Sequence, residues 1–291
     1  VFNMKKEGVF HKTSREILAP ALNGFVLWIL CKAQRSGIRR LYFLARDGYL
    51  MYRCARIYVE RFQLPIECRY LCCSRYSLRL PLYHRDIEAA LDYICRSGTE
   101  VTLDKILDRS GIPEKEKEIT LRLLGMTEQR KEPVPYPCLK EIRQKLEGCP
   151  FFLKAMEINS REKLPGLLGY LEQEGLMEES SMALADSGWI GSMQKEICHA
   201  LRILGKKENL TGYYWGLYEL PEGVKREDYH CYYFSPEAGL KKKVYFSNSL
   251  FESIFSAPHG MTTGYEKVHG RWRPIFAQTD EERRGFLEEM E

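Results

Sequence analysis

The stretch LYFLARDGYLMY, residues 41–52, contains the pattern that decides the fold. Five mostly apolar residues run directly into Arg46, Asp47 and Gly48, and apolar positions at helical spacing follow. A short apolar run bounded by polar residues is typical of a strand in a parallel sheet, where both faces are covered. We therefore expect a buried strand over RRLYFLA, residues 39–45, and a helix over residues 49–62.

The same alternation extends along the chain on both sides of this stretch. Helical spacing predicts a helix over residues 14–36, and CRYLCCS, residues 68–74, predicts a second strand that completes a βαβ unit. A strand, a glycine-containing loop and a helix are predicted over 180–205, and another strand over 210–218. Two further segments are predicted as edge strands, namely residues 230–235 and 242–247. Together these segments predict a three-layer, Rossmann-like α/β fold with a mostly parallel sheet.

Residues 85–178 follow a different pattern. They contain several short amphipathic helical segments and a linker with three prolines, EPVPYP, at 132–137. A segment of roughly 90 residues is too long to be a plain loop inside a compact domain. We therefore predict an all-helical, cap-like insertion over 85–178 that interrupts an α/β core formed by residues 1–84 and 179–291.

Composition limits the classes of function that the chain can have. Its 291 residues are 44% hydrophobic and 29% charged, which is typical of a globular protein. With 44 basic and 40 acidic side chains, the charge is too balanced to predict binding to nucleic acid, and the run 241–243 of three lysines is interpreted as a solvated face. No secretory signal and no uninterrupted apolar run of ~18 residues is visible, so we expect no membrane insertion.

The ten cysteines and the first residue lead to two further expectations. No C-x-x-C pair is present, and several cysteines lie in apolar segments, so reduced thiols in a cytoplasmic protein are expected. The sequence begins with Val1 rather than methionine. We therefore expect the native protein to carry an additional N-terminal segment or domain.

Two of the predicted strands end in the same pattern, LARDG and LADSGWIGS, and a helix follows each. In an open parallel sheet, the loops after the carboxyl ends of the strands line the ligand crevice. Asp47 and Asp186 stand at these ends, and glycines follow at positions 48, 188 and 191, where they allow sharp turns and close approach to a ligand. The helix starts favour an anion. The alternative is that each aspartate only caps its helix.

This pattern predicts a phosphate site with a metal ion. Arg46 is a permanently charged, fork-shaped partner for phosphate, and paired carboxylates from Asp47 and Asp186 suit Mg²⁺. Ser187 and Ser192 belong to the same loop and are predicted to contact the ligand. A phosphorylated small molecule is the partner that this chemistry indicates.

Residues of three further segments are candidates for the same site, each with an alternative. Ser74 and Arg75, with Arg79 beyond, follow the second strand and suit phosphate binding, or form a surface turn. Trp189 can stack on a ligand ring or anchor its loop. His259 in APHGMTTG can act in acid–base catalysis or can simply be exposed.

Four of these segments together, LYFLARDGYLMYRCARIY, YLCCSRYSL, ADSGWIGSMQKEI and LFESIFSAPHG, resemble a bacterial family of predicted hydrolases. The family is haloacid dehalogenase-like (HAD-like) and belongs to gene clusters for cell-surface polysaccharides. The resemblance covers most of the chain outside the insertion, which would be the cap. It implies a Mg²⁺-dependent phosphoryl hydrolase or transferase.

The resemblance also assigns roles to individual residues. HAD phosphatases place a D-x-D-G-T motif at a strand end, and here Asp47 and Gly48 match the second aspartate and the glycine. Ser74 matches the hydroxyl that holds phosphate, and Asp186 matches a later acidic metal ligand. Ala45 stands where the nucleophilic aspartate belongs, so the usual phospho-aspartate cannot form.

Two alternatives to the hydrolase stay open. ARDG and ADSGWIGS also resemble the pyrophosphate loop and the ribose 5-phosphate loop of type I phosphoribosyltransferases. In that reading Asp186 lies toward the ribose hydroxyls, and Gly191 and Ser192 toward the phosphate, and catalysis needs no covalent enzyme intermediate. The third possibility is a non-catalytic ligand-binding or scaffolding module that works beside a glycosyltransferase.

Overall fold

The computed structural model describes residues 9–98, 100–206 and 210–278 and divides into two compact units. The first unit consists of the chain up to Cys73, of Met177–Met261 and of the chain from Ala277 onward; the second consists of Ser74–Leu176 and Thr262–Phe276. The predicted insertion, 85–178, overlaps most of the second unit, which also includes residues 74–84 and 262–276.

The described ranges contain the following helices and strands in chain order. The helices are α1 Val9–Thr13, α2 Ala19–Arg35, α3 Gly48–Phe62, α4 Arg75–Arg79, α5 Ile87–Ile94, α6 Leu103–Ser110, α7 Glu114–Leu123, α8 Cys138–Glu147, α9 Pro150–Gln173, α10 Ser192–Ile203, α11 Leu240–Tyr245 and α12 Asn248–Phe255. A π-helical turn, Ser14–Leu18, joins α1 to α2, and 3₁₀ turns occur at Leu80–Arg85 and Arg226–Asp228. The strands are β1 Arg40–Leu44, β2 Glu67–Leu71, β3 Met182–Asp186, β4 Thr211–Gly216, β5 Tyr229–Phe234, β6 Thr262–Val268 and β7 Arg271–Phe276.

The first unit is built on a five-stranded sheet in the order β2-β1-β3-β4-β5. Every neighbouring pair is parallel; Phe43 of β1, for example, lies opposite Tyr70 of β2 and Ala185 of β3. Helices lie against both faces of the sheet. This confirms the predicted three-layer, Rossmann-like α/β fold.

Adjacent residues of β4 show how the two faces are covered. Tyr213 packs in the cluster that contains α2, with its ring 5.8 Å from that of Trp28. The next residue, Tyr214, points the other way and donates its hydroxyl to Gln194 of α10 at 2.7 Å. Since successive side chains of a strand alternate between faces, α2 and α10 cover opposite sides of the sheet. The central strands are therefore buried on both faces, as their apolar runs predicted.

By length and composition alone, the helical stretch His11–Arg35 could cross a membrane. Core helices of soluble proteins share this composition. In α2 the apolar residues on one side, among them Phe25, Val26 and Ile29, are fully buried against the sheet. Over the whole apolar window of this stretch, 28% is buried.

The second unit combines the helices α4–α9 with a two-stranded antiparallel sheet, β6-β7. Its helices enclose a separate hydrophobic core. The strand pair lies along α9, where the rings of Tyr170 and Tyr265 stack at 4.3 Å. Gln173 closes this contact by exchanging two hydrogen bonds with the backbone of Trp272, at 2.9 and 2.7 Å. The insertion is thus helical as predicted, but a strand pair from much later in the chain, which the sequence did not indicate, packs on it.

The predicted edge strand at 242–247 is wrong, because Leu240–Tyr245 forms α11. Gly239 takes a left-handed conformation, with φ +82°, and turns the chain into this short helix. Lys243 then donates to the carbonyl of Pro236 at 2.8 Å, and the amine of Lys242 lies 4.6 Å from the ring centre of Tyr233. These local contacts hold the segment as a helix beside β5.

Gly48, the first residue of α3, lies directly against the backbone of β1. A Cβ at this position would come within 2.9 Å of the carbonyl carbon of Phe43. We predict that Gly48→Ala destabilises the protein by about 1–2 kcal/mol, because overpacking costs ~1–3 kcal/mol and exceeds the ~0.5–1 kcal/mol that alanine adds in a helix. Urea unfolding monitored by circular dichroism measures this change.

Gly148→Ala is the matched control for this substitution. A Cβ there meets its nearest neighbour, the carbonyl oxygen of Gln144, at an ordinary 3.4 Å, and its φ of −79° is open to alanine. An equal effect of the two substitutions would contradict the close approach of α3 to β1.

Candidate active site

The candidate site lies at the carboxyl edge of the sheet, where the chain changes direction. From β1 the chain crosses to β2 on one side, and it returns to β3 on the other side of β1. Such a switch point leaves a crevice between the two loops that follow the adjacent strands. Here these are the β1 loop, residues 45–47, and the β3 loop, residues 187–191; each contains a cis peptide bond, at Ala45–Arg46 and Gly188–Trp189.

Asp47 receives a hydrogen bond on each of its carboxylate oxygens. Ser187 of the β3 loop donates its hydroxyl to Oδ2 at 2.5 Å, and Ser256 donates to Oδ1 at 2.8 Å. Asp47 occupies the N-cap position of α3, but its side chain makes no capping hydrogen bond. The carboxylate therefore joins separate segments of the chain, and the interpretation of Asp47 as a simple helix cap is not what the structure shows.

Asp186 lies at the end of β3 with 7% of its surface exposed. Its Oδ1 accepts a hydrogen bond from the backbone amide of Ser187 at 2.9 Å. Ser187 thus contacts both carboxylates, Asp186 through its amide and Asp47 through its hydroxyl. The structure therefore brings together the two aspartates that the repeated strand-end pattern singled out.

The glycines of the β3 loop are required by backbone conformation and by space. Gly188 has φ +141°, and a Cβ there would lie 2.0 Å from the carbonyl oxygen of Gly216. Gly191 has φ +74° and occupies the N-cap position of α10. A Cβ on this residue would lie 2.7 Å from the ring of Tyr229. Because its N-cap glycine has no side chain, α10 begins at Ser192 without a side-chain cap. Helix α3 also lacks a side-chain cap, because the carboxylate of its N-cap residue Asp47 makes no capping hydrogen bond. Amides at both helix starts are left to other acceptors.

A third segment, the α12 loop of residues 256–261, contacts the β1 loop. Ser256 reaches Asp47, and the amide of Ala257 donates to the carbonyl of Arg46 at 3.1 Å. In the same loop, Nδ1 of His259 lies 2.8 Å from the carbonyl oxygen of Gly260, and Nε2 lies 2.8 Å from the hydroxyl of Tyr70. Since a carbonyl can only accept, Nδ1 carries the proton, and the neutral Nε2 accepts from the tyrosine.

The surroundings of this pair favour its neutral form. Burial lowers the pKa of His259, and the charge of Arg46 lowers it further, although the hydrogen bond to Gly260 acts in the opposite direction. Burial also raises the pKa of Tyr70 well above its ordinary value. At neutral pH the pair is therefore an imidazole acceptor and a phenol donor. His259 is half-buried and positioned, in contrast to the alternative that it is simply exposed.

Trp189 serves as an anchor of the β3 loop. Its indole nitrogen donates to Glu252 at 2.6 Å, and its ring packs edge-on against Phe251 at 5.5 Å. Phe234 and Phe246 lie within 6.4 Å of the same ring. Of the two roles predicted for Trp189, these contacts correspond to anchoring of the loop. Stacking on a ligand ring stays a prediction.

Ser74 and Arg75 belong to the second unit, so they are described apart from the loops of the first. Ser74 caps α4: its hydroxyl accepts from the amide of Ser77 at 3.0 Å and donates to the carbonyl of Thr262 at 2.6 Å. The hydroxyl proton of Ser74 is therefore used in a hydrogen bond inside the second unit. Arg75 follows with an exposed side chain.

Ser256 and Tyr70 are the site residues that sequence reasoning missed. Ser256 lies 209 residues from Asp47 along the chain, and Tyr70 lies 189 residues from His259. No local pattern relates such positions. The one signal available was the polar serine that closes an apolar helix directly before Ala-Pro-His-Gly.

The sequence predicted a Mg²⁺ site with Asp47 and Asp186 as its ligands, and this stays a prediction. Among the described residues, no group of three or more His, Cys, Asp or Glu is arranged for a metal ion. Mg²⁺ in phosphate-binding sites needs only one or two carboxylates, with water and the phosphate as its other ligands. Two carboxylates joined by Ser187 are compatible with that arrangement.

Two residues just after β1 and β2 bear on whether the site has an enzyme nucleophile. Ala45, two residues before Asp47, offers only a half-buried methyl group. Cys73, just beyond β2, is buried, and burial raises the pKa of its thiol well above the ordinary value. Neither residue can supply an anionic nucleophile at neutral pH.

No protein-family model matches this chain, and no curated protein matches it. The arguments for its function therefore come from the geometry of the site and from the resemblance of its motifs.

The hydrogen bond between Ser256 and Asp47 can be measured by a double-mutant cycle. We predict a coupling energy of about 1–2 kcal/mol between Asp47→Ala and Ser256→Ala in urea unfolding, because hydrogen bonds to charged groups contribute ~1.5–3 kcal/mol and this carboxylate is only half-buried. Ser253, one turn earlier in α12, donates instead to Ser249 at 2.8 Å. A cycle with Ser253→Ala should give a coupling below ~0.5 kcal/mol, and equal couplings would refute the contact.

The lowered pKa of His259 predicts a pH dependence of stability. Between its folded pKa and the unfolded value near 6.5, the unfolded chain binds more protons, so stability falls as the pH is lowered through this window. Below the folded pKa the loss is complete. We expect the urea midpoint of the wild type to fall more between pH 7.5 and pH 5 than that of His259→Gln.

The comparison with His259→Gln isolates this residue, because His84 and His230, whose pKa values are also lowered by burial, are present in both proteins. Parallel pH profiles of the two proteins would show that His259 is not held in its neutral form.

Proposed function

We propose that the chain binds a phosphorylated small molecule, a sugar phosphate or a nucleotide, in the crevice between the β1 loop and the β3 loop, together with Mg²⁺. The observation that carries this proposal is the contact of Ser187 with both Asp47 and Asp186, at the switch point of a parallel sheet. Parallel sheets bind their ligands at this place. The carboxylates suit a metal ion, and the ion in turn suits a phosphate.

The surroundings of the crevice supply the partners for the phosphate itself. Arg46 is exposed beside Asp47 and can form two parallel hydrogen bonds to phosphate oxygens. The starts of α3 and α10, at Gly48 and Ser192, present backbone amides that no side chain caps. Each helix start also has a partial positive charge, so both favour the same anion.

The chemistry that this site supports proceeds without a phospho-aspartate at position 45. In a Mg²⁺-dependent hydrolysis or transfer, the ion would neutralise charge on the phosphate, and Asp47 would orient or deprotonate the attacking group. The hydroxyls of Ser187 and Ser256 hold both of its oxygens, so the carboxylate is oriented in advance. His259 and Tyr70 form a second donor–acceptor pair beside the β1 loop.

The resemblance to HAD-like hydrolases of polysaccharide gene clusters supports the assignment of Asp47, Gly48 and Asp186. It also supports a cytoplasmic setting and a partner such as a glycosyltransferase. The phosphoribosyltransferase alternative shares the same loops and needs no enzyme nucleophile, which suits alanine at position 45. The hydrolase and the phosphoribosyltransferase alternatives place the phosphate at the same loops, and they differ in the reaction that follows.

A thermal-shift panel tests the binding proposal. Sugar phosphates, nucleoside mono- and diphosphates and phosphoribosyl pyrophosphate are each added with and without Mg²⁺. At a concentration of ~100 times Kd, a ligand stabilises the folded state by ~2.7 kcal/mol. We expect at least one compound to raise the melting temperature, Asp186→Asn to abolish the contribution of Mg²⁺, and Arg46→Gln to weaken binding by about tenfold or more.

Arg39→Gln is the matched control, because Arg39 is also exposed but precedes β1, at the opposite end of the strand. Equal weakening by both arginine substitutions, or the lack of any shift across the panel, would refute the site. Release of phosphate with Mg²⁺ that Asp47→Asn abolishes identifies a hydrolase, and transfer from phosphoribosyl pyrophosphate identifies the transferase. Binding with neither reaction identifies a ligand-binding module.

A further inference from the structure

Four arginines of the second unit gather around one buried tyrosine. The guanidinium carbons of Arg79 and Arg96 each lie 4.5 Å from the ring centre of Tyr93, which is 6% exposed. Arg109 donates to the carbonyl of Arg96 at 2.6 Å and to that of Ile94 at 3.1 Å, which holds it next to Arg96. Arg75 lies one helical turn before Arg79 on the same face of α4. We call these four arginines the arginine cluster.

Three acidic residues near the arginine cluster in the sequence pair with other bases. Asp92 pairs with Arg143, Asp104 with Arg130 and Asp108 with Lys117. Within the described part of the chain, no carboxylate forms an ion pair with Arg75, Arg96 or Arg109. The cluster therefore brings several positive charges together, and among the described residues no ion pair balances Arg75, Arg96 or Arg109.

Two properties make the arginine cluster suitable for a ligand. Arg75 and Arg96 are exposed, while Arg79 and Arg109 are partly buried beneath them, so solutes can reach the cluster from solvent. The contacts of Arg79 and Arg96 with Tyr93, and the carbonyl bonds of Arg109, limit the freedom of three guanidinium groups before any ligand arrives. Burial and the charges of Arg75, Arg109 and Arg79 lower the pKa of Arg96, in agreement with close packing of like charges.

We infer that the arginine cluster is an anion site of the second unit that binds the phosphate groups of a small molecule such as a diphosphate. Guanidinium groups match phosphate oxygens in pairs, and several of them can share one diphosphate. The buried ring of Tyr93 leaves no aromatic face for stacking a base, because its neighbours are the arginines themselves. Recognition therefore rests on phosphate charge and geometry. This inference does not rest on the proposed function of the first unit.

Isothermal titration with inorganic pyrophosphate, on the full chain at low salt and with EDTA, tests the inference. We expect Arg96→Gln and Arg75→Gln each to raise Kd by about tenfold or more, since each removes a charge-assisted contact. Arg122→Gln, an exposed arginine on α7 of the same unit, should leave Kd unchanged within about twofold. Arg75 is exposed, so its substitution should not impair folding, and circular dichroism checks this for every variant.

Three results would overturn the inference. The first is a lack of pyrophosphate binding by the wild type, and the second is equal Kd values in the wild type and both cluster variants. The third is loss of all binding in Arg46→Gln, because the arginine cluster would then hold no anion by itself. Citrate serves as a carboxylate comparison, and binding of citrate as tight as that of pyrophosphate would refute the assignment to phosphate.

Discussion

The hydrogen bond from Ser187 to Asp47 is the interaction on which the arrangement of the candidate site depends. It joins the loops after β1 and β3, and the neighbouring amide of Ser187 binds Asp186. Without it, two adjacent parallel strands would still place their loops at one edge of the sheet, but the aspartates would have no common partner. Ser256 completes the arrangement by fastening the α12 loop to the other oxygen of Asp47. One carboxylate thus organises three segments from distant parts of the chain.

This arrangement gives Asp47 two roles that compete. As a structural acceptor it receives a hydroxyl of Ser187 on one oxygen and a hydroxyl of Ser256 on the other. As a catalytic group it would have to take up a proton during the reaction. A bound metal ion and phosphate would change this balance by offering Ser187 a new acceptor. In the proposed function the site would orient a ligand rather than form a covalent intermediate, in keeping with the alanine at position 45.

The parts that could be predicted from the sequence are those with a local signal. Apolar runs located β1 and β3, and glycines after them located the loops that contain Asp47 and Asp186. The contacts of Ser256 and the strand pair at 262–276 could not be predicted, since their partners are far away in the chain. The prediction of a strand at 242–247 was wrong for a different reason. Its residues have strand propensity, but Gly239 and the contacts of the neighbouring lysines favour a helix. Local contacts of this kind override the strand propensity of the individual residues.

The composition of the second unit from two separate segments of chain has a consequence for biosynthesis. Residues 262–276 leave the ribosome 86 residues after Leu176, which at ~5–20 residues per second is a delay of roughly 4–17 seconds. Until then Tyr170 and the adjacent face of α9 have no strand pair to cover them. The bond between Ser74 and Thr262 closes only at the end, across 188 residues. The nascent chain therefore leaves this face of α9 uncovered until residues 262–276 have been synthesised and can complete the second unit.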